Sequence, residues 1–261
     1  MLISKSAMKS LKDYSPLVHQ LVKKELKKKY RRSILGYLWS LLNPLMMMVI
    51  MSFVFSSIFK SNVEHFPLYC IIGNTLYTFF SESTNQGMES ILNNSSLIKK
   101  VYIPKFIFPI SSVSSSFVNM SFNLTAILIV KIVMRVPFHF TDLLFFVPLA
   151  LEFIFCMGMS LILSSLLVYF RDMRHLYQVL TLAWMYMTPI FYSVDSMPDE
   201  VIKAIECNPI YHYLLIFRSY IIYGELVGIQ EILTSLAISS LVFVIGLVVF
   251  RRAQRNFILY I

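Results

Sequence analysis

The sequence has little charge, since Asp, Glu, Lys and Arg together make up 14% of its 261 residues. Soluble domains carry about 25% charged residues, so this composition argues against a soluble protein. Cysteine is also scarce. Cys70, Cys156 and Cys207 show neither paired spacing nor nearby histidine clusters, which argues against a disulfide framework or a metal site. Consensus patterns for a phosphate-binding P-loop, a zinc protease helix, a CxxC pair and a nucleophile elbow are all missing. We therefore expect no catalytic residue, no metal and no cofactor in this chain.

Long apolar segments dominate instead, with 57% hydrophobic residues and a mean hydropathy of +0.69. Crossing about 30 Å of hydrocarbon takes about 20 residues of helix. The sequence predicts an all-α integral membrane fold with six transmembrane helices, which we call spans one to six. Their predicted ranges are 34–59, 66–88, 106–130, 143–169, 175–193 and 231–250.

Lysine and arginine predict the orientation of these spans. Of the 23 basic residues, most fall in the N-terminal segment, the loop between spans two and three, the loop between spans four and five, and the tail. Positive charge marks cytoplasmic segments, so we expect both termini on the cytoplasmic side. The net charge of +9 then reflects topology, and we expect no nucleic-acid partner.

The chain divides into a cytoplasmic N-terminal segment, 1–33, and a transmembrane domain, 34–261. Within the first, Ser15 and Pro16 are a good N-cap and first helical residue. Apolar residues then recur at four-residue intervals between lysines, which predicts an amphipathic helix over 15–32 on the membrane surface. A solvated basic arm is the alternative, although an arm needs no apolar stripe.

Two loops and the tail have distinctive compositions. Loop 89–105 is polar and then basic, long enough for one short helix that could dock on a soluble partner, although a plain connector explains it equally well. Loop 194–230 is acidic and contains apolar segments divided at Asn208–Pro209. It predicts a re-entrant helical hairpin on the outer side, with a flat interfacial helix pair as the alternative. The tail, 251–261, is basic.

Two glutamates, Glu82 and Glu152, fall inside predicted spans. A carboxylate at membrane depth is costly and is by default a functional candidate facing the bundle interior. For Glu152 a structural hydrogen bond or salt bridge is the favoured interpretation, with Lys131 or Arg135 as its partner.

Aromatic residues make up 15% of the chain, and many lie where an interfacial belt would place them. They are dense at the start of span one and along span five. Because sugars can lay their C–H faces on aromatic rings, these residues suit a glycan conduit as well as a belt. The residues concerned are Tyr37, Trp39, Trp184, Tyr186, Phe191 and Tyr192.

Four motifs occur in the order expected for one family: KKYRRSILGYLWSLLNP at 28–44, VYFRDMRHL at 168–176, TPIFYSVDSMP at 188–198 and NPIYHYLLIFRS at 208–219. With them the chain resembles the membrane subunits of ABC-type polysaccharide exporters, which move O-antigen, capsular glycan or teichoic acid. The resemblance runs from about Tyr14 to Tyr260.

The resemblance implies a homodimer above two copies of a soluble ATPase subunit, which would hold ATP and Mg²⁺. It implies that the N-terminal helix and loop 89–105 contact that subunit, and that spans one and five of the two copies line the pathway. The implied contact residues are Leu26, Tyr30, Arg31, Asn94, Leu97, Lys99 and Lys100. The implied pathway residues are Tyr37, Trp39, Asn43, Trp184, Tyr186, Phe191 and Tyr192.

We accordingly expect a permease subunit in a bacterial cytoplasmic membrane that exports a lipid-linked polysaccharide and performs no chemistry itself. Membrane lipids and the lipid-linked glycan are further expected partners. Two alternatives stay open: an ABC exporter of a small lipid or drug, and a polytopic glycan-modifying enzyme, which would need a catalytic His or carboxylate at a membrane face.

Overall fold

The computed structural model describes residues 14–30, 33, 35–57, 63–194 and 197–261, and all regular structure in this part is helical. The predicted all-α class is therefore confirmed. The α-helices are α1 (Ser15–Tyr30), α2 (Leu38–Ser57), α3 (Phe66–Asn93), α4 (Ser95–Lys100), α5 (Ile107–Val133), α6 (Phe146–Tyr169), α7 (Met173–Met187), α8 (Asp199–Glu206), α9 (Pro209–Arg218), α10 (Ile229–Ala253) and α11 (Phe257–Tyr260). A 3₁₀ helix, Phe140–Phe145, precedes α6, and a π-helical turn, Ser219–Tyr223, follows α9.

Four helices in the described part are long and apolar enough to cross a membrane: α2, α5, α6 together with its 3₁₀ extension, and α10. They correspond to predicted spans one, three, four and six. The helices at spans two and five differ from them. Helix α3 has 28 residues but carries Glu82 and Glu89 among its polar side chains, and α7 has only 15 residues.

Helix α7 ends earlier than the predicted boundary at residue 193 because Thr188 precedes Pro189. A proline disfavours helical geometry in the residue before it, and Thr188 is extended, with φ −100° and ψ 129°. At 1.5 Å per residue α7 is about 22 Å long, shorter than the hydrocarbon layer.

Helix α3 lies at the centre of the bundle, where it packs against α2, α5, α6, α7 and α9. Its apolar side supplies much of the main core, including Leu68, Ile72 and Phe80. Helix α1 packs across α5, so the amphipathic N-terminal helix is part of the folded unit rather than a separate arm.

The region 194–230 contains two short helices that meet at Cys207 and Asn208. The Asn208 side chain accepts a hydrogen bond from the Ile210 amide at 3.1 Å, which caps α9, and Pro209 is its first residue. Helix α9 packs against α3, α6 and α10. The division at Asn208–Pro209 matches the sequence, while entry of this hairpin into the membrane stays a prediction.

Helices α6 and α10 approach each other closely at Gly158 and Gly246. A Cβ atom built on Gly246 would lie 2.4 Å from the Gly158 carbonyl oxygen, and one on Gly158 would lie 2.6 Å from the Phe243 amide nitrogen. Small residues that allow helix backbones to approach are a main source of packing between membrane helices. This contact therefore requires glycine on both helices.

We expect Gly246→Ala to destabilise the protein, because the added methyl group has to push two backbones apart. Overpacking costs about 1–3 kcal/mol, partly offset by the better helix propensity of alanine. Thermal unfolding in mild detergent, followed by size exclusion, measures the effect. Ser240→Ala is the control, since Ser240 is exposed on the same helix; equal midpoints for the two variants would contradict the tight contact.

Candidate functional site

A stripe of polar residues follows one side of α3. Asn74, Thr78, Glu82 and Gln86 recur every four residues, a spacing that puts them on one helix face. Helix α5 presents a second polar set to them: Ser112, Ser115, Ser116, Asn119 and Asn123. Helix α1 and the start of α2 cover both sets.

Two neighbouring cavities lie between these four helices. The larger, about 340 Å³, is lined by α1 residues Leu26, Lys28 and Lys29 together with the polar sides of α3 and α5. The smaller, about 150 Å³, is lined by Trp39, Asn43, Asn74 and Asn123 among others. Lys29, Glu82 and Asn119 line both cavities. We call the two cavities together the polar groove.

Glu82 lies where the two cavities meet. The Lys29 ammonium donates to both Glu82 carboxylate oxygens, at 2.8 and 2.9 Å, and the Asn119 side-chain amide donates to Oε2 at 3.2 Å. Ser40 on α2 donates to Asn119 Oδ1 at 3.2 Å. One carboxylate thus links α1 to α3 and α5, and the bonds extend to α2.

Asn123 lines the smaller cavity one turn beyond Asn119. Its side chain is 6% exposed, and its Oδ1 accepts no hydrogen bond from the part of the chain that the structure describes. Buried polar atoms are nearly always hydrogen-bonded, so this buried oxygen stands out as an acceptor without a partner in the described part of the chain.

Glu152 on α6 lies apart from the groove. It is fully buried, and neither carboxyl oxygen has a hydrogen-bond partner among the described residues. The expected pairing with Lys131 is wrong: the Lys131 ammonium donates to both Asp142 oxygens at 2.6 Å. Lys131 pairs across the short turn to the 3₁₀ helix, eleven residues away. Arg135 is exposed at that same turn.

The residues expected to contact an ATPase subunit form one surface where they are described. Leu26 is half-buried on α1, Leu97 is half-buried on α4, and Lys99 and Lys100 are exposed at the end of α4. Asn94, which is buried, accepts a hydrogen bond from Lys24 of α1 at 3.1 Å. We call α1 and α4 together the α1–α4 surface. Arg31 and the Tyr30 side chain lie outside the described residues.

Apolar contacts hold the two helices of this surface on the bundle. Leu21 of α1 and Ile98 of α4 belong to one buried cluster with Ile91 and Phe257. The tail joins the same region, because Lys105 donates to the Gln254 carbonyl oxygen at 2.6 Å. Partial burial lowers the pKa of the Lys105 ammonium.

The expected pathway residues fall into two groups. Tyr37, Trp39 and Asn43 lie near the start of α2 and are exposed; the Tyr37 ring lies 5.7 Å from that of Phe122. Phe191 stacks on Phe55, near the far end of α2, at 5.7 Å. Sixteen residues of helix separate Trp39 from Phe55, about 24 Å. One copy of the chain therefore does not bring the two groups together.

The other members of the second group contact the hairpin and the end of α7. Trp184 Nε1 donates to Asn208 Oδ1 at 2.8 Å, and the Tyr192 hydroxyl donates to the Tyr186 carbonyl oxygen at 2.9 Å. Tyr186 is 68% exposed. Trp184 thus helps to fix the hairpin, and Tyr186 is the member most available to a partner.

Arg218 is a residue that the sequence did not single out. Its buried guanidinium donates to the carbonyl oxygens of Pro189, Tyr69 and Ile190 at 2.8–3.1 Å and lies 3.3 Å from the centre of the Tyr69 ring. A Cβ atom on Gly73 would lie 2.8 Å from its Nη2. Arg218 therefore ties α9 to the start of α3 and to the segment after α7.

We expect Glu82→Lys to loosen α1, because it places two ammonium groups together. The pair is partly exposed, so its contribution is about 1 kcal/mol or less, and amide hydrogen exchange over Ser15–Tyr30 should rise by up to about fivefold. The charge swap Lys29→Glu with Glu82→Lys should restore protection. Glu64→Lys, at an exposed residue before α3, is the control; equal exchange in all variants would show that the pair does not hold α1.

Comparison with known proteins supports the family resemblance over most of the chain. The family model for the ABC-2 type transporter matches residues 16–222. The chain is similar to the O-antigen export system permease protein RfbA of Myxococcus xanthus, with 28% identity over 90% of this chain and 91% of the relative. It is equally similar to RfbA of Klebsiella pneumoniae, with 28% identity over 91% and 92%. The capsule polysaccharide export inner-membrane protein CtrC of Neisseria meningitidis serogroup A is 21% identical over 82% of both chains. With most of its length matched by the family model, the chain belongs to the ABC-2 type transporter family of multi-pass membrane proteins.

Proposed function

We propose that this chain is the permease subunit of an ABC transporter that exports a lipid-linked polysaccharide across a bacterial cytoplasmic membrane. The observation that carries this proposal is similarity to O-antigen export permeases over nine-tenths of both chains. A relative in capsule export supports the same substrate class. The chain moves the glycan, and a separate subunit hydrolyses ATP with Mg²⁺.

In the proposed arrangement the chain crosses the membrane six times, with both termini in the cytoplasm. Helices α3 and α7 are then spans two and five. The polar stripe on α3 is compatible with a span because α1, α2 and α5 cover it, and polar groups at membrane depth face protein or a water-filled cavity. The hairpin of α8 and α9 enters the outer leaflet as a re-entrant element beside the exit.

Two copies of the chain form the glycan pathway between them, lined by α2 and α7. Both helices leave wide apolar faces exposed, including Val49 and Phe53 on α2 and Val179 and Tyr186 on α7. Large exposed apolar surfaces are covered by lipid or by another protein in the assembled state. The two aromatic groups then lie near the two ends of the pathway.

The ATPase subunit docks on the α1–α4 surface. The exposed Lys99 and Lys100 offer charge to that partner, while Leu21 and Ile98 anchor the surface to the bundle. A movement imposed on α1 and α4 therefore reaches α3 and α5 through packed side chains and through the Lys29–Glu82 pair.

The experiment that tests the function combines gene deletion with a pull-down from native membranes in gentle detergent. We expect deletion to abolish the surface polysaccharide while its lipid-linked precursor accumulates inside the cell. The tagged chain should bring down a soluble ATPase subunit in equal amount. Normal surface glycan after deletion, or a folded chain without an ATPase subunit, would refute the proposal.

We expect Lys99→Glu with Lys100→Glu to weaken coupling of ATP hydrolysis to export, because the reversed charges face the ATPase subunit. The ratio of ATP hydrolysed to glycan exported should rise by about tenfold or more if each reversal removes roughly 1 kcal/mol of docking. ATP turnover in reconstituted vesicles and surface glycan in cells measure the two quantities. Lys203→Glu, at an exposed residue of α8, is the control, and unchanged coupling in the double variant would remove α4 from the docking surface.

A further inference from the structure

We propose that the polar groove inside each copy binds neutral sugar residues of the exported glycan, before they reach the pathway between the two copies. The inference rests on the proposed function and adds a site to it. Two residues of the expected pathway, Trp39 and Asn43, also line the smaller cavity, whereas the rest of the groove lies between α1, α3 and α5 of a single copy.

The lining of the groove has the chemistry that recognises hydroxyl groups. The smaller cavity has Asn43, Asn74, Asn123 and Thr78 on its walls. A side-chain amide offers both donors and an acceptor, and a threonine hydroxyl offers both, so each can bond to a sugar hydroxyl in either direction. Trp39 adds an indole face against which the C–H face of a sugar can pack.

The free acceptor on Asn123 points to a ligand. Asn123 is buried, and its Oδ1 has no hydrogen-bond partner among the described residues. A buried acceptor without a partner is unfavourable relative to one that is bonded. Because Asn123 lines the smaller cavity, a turn of its side-chain amide toward that cavity would let a ligand hydroxyl supply the missing donor.

The balance of charge selects a neutral ligand over a phosphate group. The described lining holds three carboxylates, Glu25, Glu82 and Glu89, against two ammonium groups, Lys28 and Lys29. Lys29 is already bonded to Glu82. Arg174 likewise pairs with Glu89 at 2.8 Å, so Lys29 and Arg174 are both already engaged by carboxylates, whereas a sugar hydroxyl can donate to a carboxylate without displacing either.

The volume also fits a short stretch of glycan. The larger cavity, about 340 Å³, falls within the usual range for small-molecule sites of roughly 300–1,000 Å³, and the smaller cavity extends it. The exposed Lys28 and Asn93 lie on the wall of the larger cavity, so that cavity is accessible from the α1–α4 surface, the side on which the glycan is made in the proposed arrangement.

The test is a binding measurement on the intact complex with its ATPase subunit in lipid nanodiscs. The probe is a neutral oligosaccharide released from the surface glycan of the source cell and labelled with a fluorophore, and binding is read by fluorescence polarisation. We expect Asn74→Ala and Asn123→Ala each to weaken binding about three- to tenfold, the loss expected from one hydrogen bond.

Asn85→Ala is the matched control. Asn85 lies on α3 like Asn74, but its side chain bonds to the Ser81 carbonyl oxygen of the same helix and does not line the groove. This variant should bind the probe as the native complex does. ATP turnover of each variant shows that it is folded, and Thr78→Val replaces any variant that fails this check.

Two results would overturn the inference. One is equal affinity of the native complex and the groove variants for the oligosaccharide, or no binding at all. The other is displacement of the probe by millimolar inorganic pyrophosphate, which would assign the groove to the headgroup instead. If either result is obtained while export still depends on this chain, the groove site alone is refuted. If export does not depend on the chain, the proposed function is refuted.

Discussion

The need to cover the polar side of α3 governs the arrangement of this protein. In the proposed arrangement α3 is a span, and a span cannot turn carboxyl and amide groups to lipid, because each unsatisfied polar group in hydrocarbon costs several kcal/mol. Helix α3 carries Glu82 and its polar neighbours along one face and apolar core residues on the other. Helices α2 and α5 therefore pack on its polar side, and α1 closes the remaining gap.

Helix α1 consequently has two roles: it packs on the bundle, and it supplies a charged side chain to the polar groove. Its apolar residues pack into the bundle, and Lys29 reaches the centre of the polar groove. A soluble partner that moves α1 would act on the groove directly, through one ion pair of 2.8 Å, without a long chain of intermediate contacts. If the proposed ATPase subunit docks on α1 and the groove binds the glycan, the docking surface and the binding site are separated by the width of one helix.

Much of the fold could be predicted from the sequence because its elements depend on local patterns. The amphipathic repeat of α1, the apolar lengths of the spans and the break at Asn208–Pro209 are all local. The groove was missed because Lys29 and Glu82 lie 53 residues apart and no periodicity pairs two elements. The four-residue spacing of Asn74, Thr78, Glu82 and Gln86 was a usable signal, since it marks a face that lipid cannot cover. The predicted Lys131–Glu152 pair was wrong because a short turn brings the carboxylate of Asp142 within hydrogen-bond distance of the Lys131 ammonium.

The proline that ends α7 has a consequence for the surrounding lipid. As span five of the proposed arrangement, α7 supplies about 22 Å of helix against a hydrocarbon layer of about 30 Å. Hydrophobic mismatch of this kind is relieved when the bilayer thins beside the short helix. Each copy then carries a dimple in the outer leaflet next to the hairpin that Arg218 anchors. An amphiphile with a large headgroup could leave the protein there across a shallower barrier than elsewhere in the membrane.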